Sequence, residues 1–205
     1  NKGTVDEIAQ QAMLYTYKGT ERIIRYAFEV AAGRPRKHLT LIDKANAVRA
    51  QDLYSRVFAD VAKEFPTVTT GHLYVDAACM RMIESPESID VAVTTNLFGD
   101  IVTDLGAMLQ GGMGVAASAN LRPGHVSLFE SVHGSFPEAA GKNIANPIAT
   151  INAVSMMLDY LGEDAASAAV SDAVASLLTS GRIRSLEVGE HATDEIGEMI
   201  ACELS

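Results

Sequence analysis

Three short strand-like runs alternating with helical patterns predict an α/β fold built on a parallel sheet. The runs are 38–42, 69–75 and 89–95, each bounded by turn or helix signals. A second observation concerns the residues at their ends. Chemically capable side chains stand just past the end of every run: Lys44 and Asn46, then Asp76, then Asn96 and Asp100. In open α/β sheets ligands bind beyond the carboxyl ends of the strands, so this repeated placement marks a candidate active site. The third observation is composition. With 205 residues, 48% hydrophobic and 20% charged, the chain has an ordinary globular balance and enough length for one or two domains.

Taken in order, residues 1–11 are polar and read as an arm or loop. A helix is expected from Thr20, which can cap, with Glu21 in its first turn and Gly33 ending it before Pro35. Its inner face reads as Ile23, Ile24, Ala27, Phe28 and Ala31. After the first strand, 49–65 is a second helix with Leu53, Val57 and Val61 inward, closed by Pro66. The second strand leads into a short helix over 77–84, and the third feeds directly into a helix from Asn96. A fourth strand is expected over 126–130, followed by the Gly/Pro/Asn-rich loop SVHGSFPEAAGKNIANP. Helices complete the chain at 148–161, with Ile151, Val154, Met157 and Leu158 as its core side, and at 165–178 and 193–204.

The stretch from Asn96 to Met113, NLFGDIVTDLGAMLQGGM, carries the sharpest chemical signal. Asp100 and Asp104 are four residues apart, hence on one helix face and one turn apart. Leu97, Ile101, Leu105 and Met108 form a separate apolar stripe, so the helix can bury one side and offer the acids on another. Two acids alone read as a solvated face. A divalent cation between them removes their repulsion, and Mg²⁺ is held by one or two carboxylates plus substrate oxygens. Asn96, Gly99 and the GGMG run from Gly111 leave little side-chain cover, which suits close approach of a ligand to backbone.

Lys+Arg total 16 against 26 Asp+Glu, a net charge of −10, which argues against nucleic acid or an anionic membrane surface as partner. No run of 18 apolar residues suggests a membrane-spanning helix, and the polar start NKGTVDEIAQQ has no signal-peptide core, so a cytoplasmic enzyme is expected. The start without Met is expected of a fragment or processed product. Cys79 and Cys202 fit no zinc or CxxC spacing and read as buried or half-buried thiols in a reducing compartment. There is no GxGxxG and no Walker loop.

Five stretches together resemble one family: IDKAN at Ile42, HLYVDAACM at His72, NLFGDIVTDLGAMLQGG at Asn96, SLFESVHGS at Ser127 and AGKNIANPIATI at Ala140. The chain resembles the β-decarboxylating dehydrogenases of 2-hydroxy acids, the isocitrate/isopropylmalate dehydrogenase family, with the DKAN form most like its isopropylmalate branch. The resemblance covers nearly all of this chain but corresponds to the C-terminal three-fifths of such an enzyme. It implies an isopropylmalate dehydrogenase-like fold, a three-layer α/β/α arrangement lacking here its N-terminal strands. Residues 1–110 correspond to a partial central domain for substrate, metal and dimerisation, and 111–205 to the C-terminal part of the cofactor-binding domain. The family's N-terminal region supplies substrate arginines and a catalytic tyrosine, for which Tyr15 and Tyr17 are not substitutes.

The functional implications of the resemblance are specific. The reaction is NAD-dependent oxidative decarboxylation of a 2-hydroxy acid with a β-carboxylate, with 3-isopropylmalate leading and tartrate, malate, homoisocitrate or isocitrate as alternatives. Asp100 and Asp104 become ligands of Mg²⁺ or Mn²⁺ in one subunit, with Asp76 entering from the other subunit of a homodimer. Lys44 serves in proton transfer across the same interface. Alone, Asp76 reads as a helix N-cap and Lys44 as a surface lysine paired with Asp43. Asn46 contacts the nicotinamide end, while Glu130, His133, Gly134, Ser135 and Asn146 hold the cofactor. Glu138 accepts from the ribose hydroxyls, and its charge would repel a 2′-phosphate, favouring NAD over NADP. Three places depart from the pattern: Ser131 for a usual proline, Phe136 for a small residue, and Ser185–Gly189 where a DLGG-like turn is common. Phe136 either crowds the adenine or stacks on it. A rival from another class is a non-catalytic truncated or regulatory subunit; the presence of Lys44, Asp76, Asp100 and Asp104 together counts against it.

Overall fold

The computed structural model describes residues 1–204. The chain divides into two compact units, Asn1–Leu105 and Gly106–Ser205, and the division falls inside one helix.

The first unit is built on a parallel sheet of β1 (His38–Asp43), β2 (Thr69–Tyr74) and β3 (Val91–Val93), in the order β2-β1-β3. β1 is the central strand, which is why Leu39, Thr40, Leu41, Ile42 and Asp43 are all buried and the run does not alternate. Two helices pack against the sheet, α1 (Tyr17–Gly33) and α2 (Asp52–Ala62). α1 begins three residues earlier than its sequence suggests, because Thr16 is the cap: its hydroxyl accepts from the Gly19 N–H at 3.1 Å. Thr20 then lies within the helix and is buried with Ile24, Ala27, Phe28 and Ala31, while Ile23 is turned outward. Phe28 is the hub of this core, with its ring centroid 5.1 Å from Phe58 and 5.2 Å from Phe65. Phe28→Ala is expected to destabilise the protein by about 3–5 kcal/mol, the usual range for a buried aromatic truncation, read as a lowered urea midpoint at unchanged slope.

β2 runs straight into α3 (Val75–Glu84), and β3 is followed after two residues by α4 (Asn96–Leu109). Along α4 the residues buried within the chain are Val102 and Ala107. The expected apolar stripe is instead largely exposed, with Leu97 at 48%, Ile101 at 51% and Met108 at 65%. Met80 and Ile83 on α3 are exposed to a similar degree.

The second unit contains an antiparallel pair, β4 (Ala117–Asn120) and β5 (Leu128–Ser131), and three helices, α5 (Ile148–Tyr160), α6 (Asp164–Thr179) and α7 (Thr193–Glu203). β4 has no counterpart among the expected strands, because Ala-Ser-Ala-Asn carries no β-branched signal and is ordered by pairing with β5. The core joins Ile148, Val174, Leu177, Ile183, Ile196 and Ile200. α5 corrects a second expectation. Its buried positions are Ile148, Ala149, Ala153 and Ser155, while Val154 is exposed and Ile151, Met157 and Leu158 are partly so. The small residues let α6 come close, and the Ser155 hydroxyl reaches those of Ser167 at 3.0 Å and Ser171 at 2.8 Å. Both cysteines are free; Cys79 is half-buried, but Cys202 is exposed rather than sheltered. Among the described residues no helix is long and apolar enough to cross a membrane.

Candidate active site

The parallel register builds the first part of the site. Asp43 pairs with Tyr74, so the chain leaves β1 and β2 at the same level. Lys44, the first residue past β1, therefore meets Asp76, the second residue of α3. Lys44 Nζ lies 2.6 Å from Asp76 Oδ1. The Lys44 ammonium holds the Asp76 carboxyl below the usual carboxylate range, helped by backbone N–H groups in the first turn of α3. Asp76 is thus inside the helix and ion-paired; Tyr74 occupies the cap position, so the N-cap reading does not hold. Nor is Asp43 the partner of Lys44, since its carboxylate is wholly buried and bonded elsewhere.

The Lys44 backbone is pinned as well. Its N–H donates to Gln51 Oε1 at 2.7 Å, and its carbonyl accepts from Ala47 and Val48. Gln51 is itself 1% exposed and donates to the Tyr15 hydroxyl at 3.2 Å and to Thr95 Oγ1 at 3.4 Å. It ties the Lys44 turn to the segment that starts α4, a role that leaves no mark in the sequence. Asn46 stands exposed in the same turn.

α4 is a continuous helix through Asp100 and Asp104, so the two carboxylates share a face one turn apart, and both residues are exposed. Neither carboxylate makes a hydrogen bond or ion pair with a described residue. Two hard oxygen donors without a protein partner fit Mg²⁺ or Mn²⁺. Among the described residues no three His, Cys, Asp or Glu side chains come together as a complete metal set, so Asp76 does not join the α4 acids within one chain.

The second unit carries a hollow of about 510 Å³, within the size range of small-molecule sites. Its walls include Gly111–Gly114, His133–Phe136, Ala145, Asn146 and Leu186–Val188. An adjoining hollow of about 470 Å³ shares His133–Phe136 and adds Glu130, Ala139 and Ala140. The loop that shapes them is laced to the start of α7. Asn143 takes a left-handed φ of 56°, which Asn tolerates, and its amide bonds Asp194 at 2.7 Å. Thr193 Oγ1 donates to the Ala145 carbonyl at 2.6 Å.

Side chains in this wall divide by task. Asn146 spends its amide on structure, donating to the Leu186 carbonyl and accepting from the Ile148 N–H. His133 Nδ1 lies 2.8 Å from the Gly134 carbonyl, which can only accept, so Nδ1 carries the proton and Nε2 is left as an acceptor in the neutral ring. Glu130 accepts from Asn120 across the β4–β5 pair at 3.0 Å. Ser135 is exposed, and its hydroxyl bonds no described residue. A Cβ on Gly134 would meet open space, whereas one on Gly111, where φ is +112°, would come within 2.7 Å of Leu186 Cδ1. A concave, mostly apolar wall with a few polar groups and bare backbone fits the adenosine end of a dinucleotide. Glu138 is exposed in the turn Pro137–Ala139, of which Ala139 is buried, and lines neither hollow. Leu186–Val188, which in sequence depart from a turn pattern, form a wall instead.

Similarity to known proteins agrees with the fold. Residues 1–200 match the isocitrate/isopropylmalate dehydrogenase family, and the chain belongs to that family. It is 47% identical over 203 residues to 3-isopropylmalate dehydrogenase of Frankia casuarinae, covering 98% of this chain and 59% of the relative. It is 46% identical to the enzyme of the same name from Streptomyces griseus, covering 99% and 58%. Among solved structures, the TT0538 protein of Thermus thermophilus superposes with a TM-score of 0.88 at 38% identity, over 98% of this chain and 41% of that one. Isocitrate dehydrogenase of Methylococcus capsulatus gives a TM-score of 0.87 at 40% identity, over 95% and 58%. The chain thus spans less than two thirds of the length of these relatives.

Proposed function

We propose that this chain carries the metal-binding and cofactor-binding part of an NAD-dependent dehydrogenase that oxidises and decarboxylates a 2-hydroxy acid bearing a β-carboxylate. The observation that carries the reading is the 2.6 Å Lys44–Asp76 pair at neighbouring strand ends, in the same unit as the unpartnered acids Asp100 and Asp104. Mg²⁺ or Mn²⁺, when bound, would supply Lewis-acid polarisation of substrate oxygens, and NAD would supply a hydride acceptor. Asp100 and Asp104 would hold the ion from one subunit and Asp76 from its partner in a homodimer. Lys44 Nζ, 2.6 Å from the Asp76 carboxylate, moves a proton to or from the substrate, a task suited to a positioned amine. The exposed apolar side chains of α3 and α4 support a second copy as their cover.

3-Isopropylmalate is the leading substrate because the two relatives at 46–47% identity carry that name. A cytoplasmic setting accords with this role in leucine biosynthesis. The test is an assay of the purified gene product with 3-isopropylmalate, isocitrate, homoisocitrate, tartrate and malate, with NAD or NADP, and with Mg²⁺, Mn²⁺ or chelator. Turnover confined to 3-isopropylmalate supports the reading. No turnover with any of the five acids sinks it.

Cofactor choice is carried by Glu138. Glu138 lines neither hollow but directly precedes Ala139, which lines the smaller one, and its carboxylate bonds no described residue, so it is proposed to accept from ribose hydroxyls at the rim. Glu138→Gln is expected to weaken NAD binding by about 1–2 kcal/mol, the scale of a charge-assisted hydrogen bond, and to narrow the preference over NADP. Equal use of both cofactors by the unaltered protein would place Glu138 away from the ribose.

A further inference from the structure

Asp43 is a buried ionisable group with no place in the reaction outlined above. It has no solvent-exposed surface, yet stands directly before Lys44. A carboxylate removed from water persists where donors surround it. Asp43 has three: the Ala45 N–H at 3.2 Å and His72 Nε2 at 3.0 Å on Oδ1, and the Ser55 hydroxyl at 2.9 Å on Oδ2. These come from the turn after β1, from β2 and from α2. The carboxylate accepts, so the His72 proton sits on Nε2 and the ring plane is fixed. That ring meets Tyr74, two residues along the same strand, in an edge-on contact with centroids 5.2 Å apart and planes at 80°. Lys44 Nζ lies 5.5 Å from the centroid of the same Tyr74 ring.

We propose that Asp43, acting through His72 and Tyr74, is a positioning residue that aims the Lys44 ammonium at Asp76 and the reacting group. A lysine amine on four rotatable bonds explores many placements. Here a ring lies beside it, a carboxylate faces it, and Asp43 holds the histidine that holds the ring. Tyr74 lies beside Lys44, and His72 and Asp43 stand behind it in turn. The catalytic meaning rests on the Lys44 role proposed above; the positioning itself does not.

The experiment pairs kinetics with an independent view of the lysine. In the gene product, His72→Leu, Tyr74→Leu, Tyr74→Phe, Asp43→Asn and Lys44→Met are compared for kcat and KM. In the same proteins, ¹³C-labelled lysine reports the motion of the Lys44 Cε by NMR, Lys44→Met giving the assignment. His72→Leu and Tyr74→Leu are expected to lower kcat at least about tenfold with KM little changed, a misplacement of ~1 Å being worth up to about 100-fold. Tyr74→Phe keeps the ring and should keep both kcat and a restrained Lys44 signal. Should Asp43→Asn fail to fold, the His72 and Tyr74 variants decide. A restrained Lys44 signal in both leucine variants overturns the proposal and leaves Asp43 a purely structural anchor. Should Lys44→Met itself retain turnover, the proton-transfer role falls, while the NMR signal still decides the positioning.

Discussion

Lys44→Met is expected to lower kcat by about 10²–10⁴-fold, the range that one positioned acid–base group contributes. The fold should hardly register the change. The Lys44 side chain is 24% exposed and its partner Asp76 66% exposed, and solvent-screened ion pairs of this kind contribute little to stability. Its backbone bonds to Gln51, Ala47 and Val48 survive the substitution. Loss of turnover without loss of stability therefore separates chemistry from scaffolding. One ionisation also moves in a known direction. Without the ammonium, the Asp76 carboxyl rises back toward its ordinary range, because the Lys44 hydrogen bond is the largest influence holding it down. Carboxylate titration followed by NMR in wild type and variant checks this, and an unmoved Asp76 would mean that the pair does not form in solution.

The strand-end chemistry was legible because it follows from period and topology alone. Once 38–42 and 69–75 are strands of one parallel sheet, the residues just beyond them become neighbours, and Lys44 and Asp76 are those residues. Asp100 and Asp104 needed less, since a helix fixes the four-residue spacing. What stayed hidden depends on contacts distant in sequence. Gln51 looks like any polar helix-start residue until Tyr15, Lys44 and Thr95 converge on it. Asp43 reads as a surface partner for its neighbour until the central position of β1 buries it. β4 is visible through β5, not through its own side chains. The apolar side chains of α4 signal a buried face, yet among the described residues Leu97, Ile101 and Met108 stay largely exposed. Leu186–Val188 become part of the hollow by way of the Asn146–Leu186 bond, between residues 40 apart.

Mixing two inactive proteins is expected to restore activity if the metal site is shared between subunits. Asp104→Asn removes one of the two ligands proposed on α4, and Asp76→Asn removes the charge proposed to arrive from the partner. Even residues that merely orient a metal ligand are worth about 10–100-fold in affinity, so losing a ligand should exceed that range. Each variant alone should bind Mn²⁺ weakly, by titration calorimetry or electron paramagnetic resonance, and turn over slowly. In a heterodimer of the two, one site combines both altered residues, while the other combines an intact Asp76 with an intact Asp100 and Asp104. Random reassociation makes half of the dimers mixed, so the mixture should recover about a quarter of wild-type activity and tight Mn²⁺ binding to the same extent. A site confined to one chain gives no recovery, because every chain then carries its own defect. The structure makes the distinction sharp. Among the described residues Asp76 is paired with Lys44 and forms no metal set with the α4 acids, which is the arrangement that the proposed sharing between subunits requires.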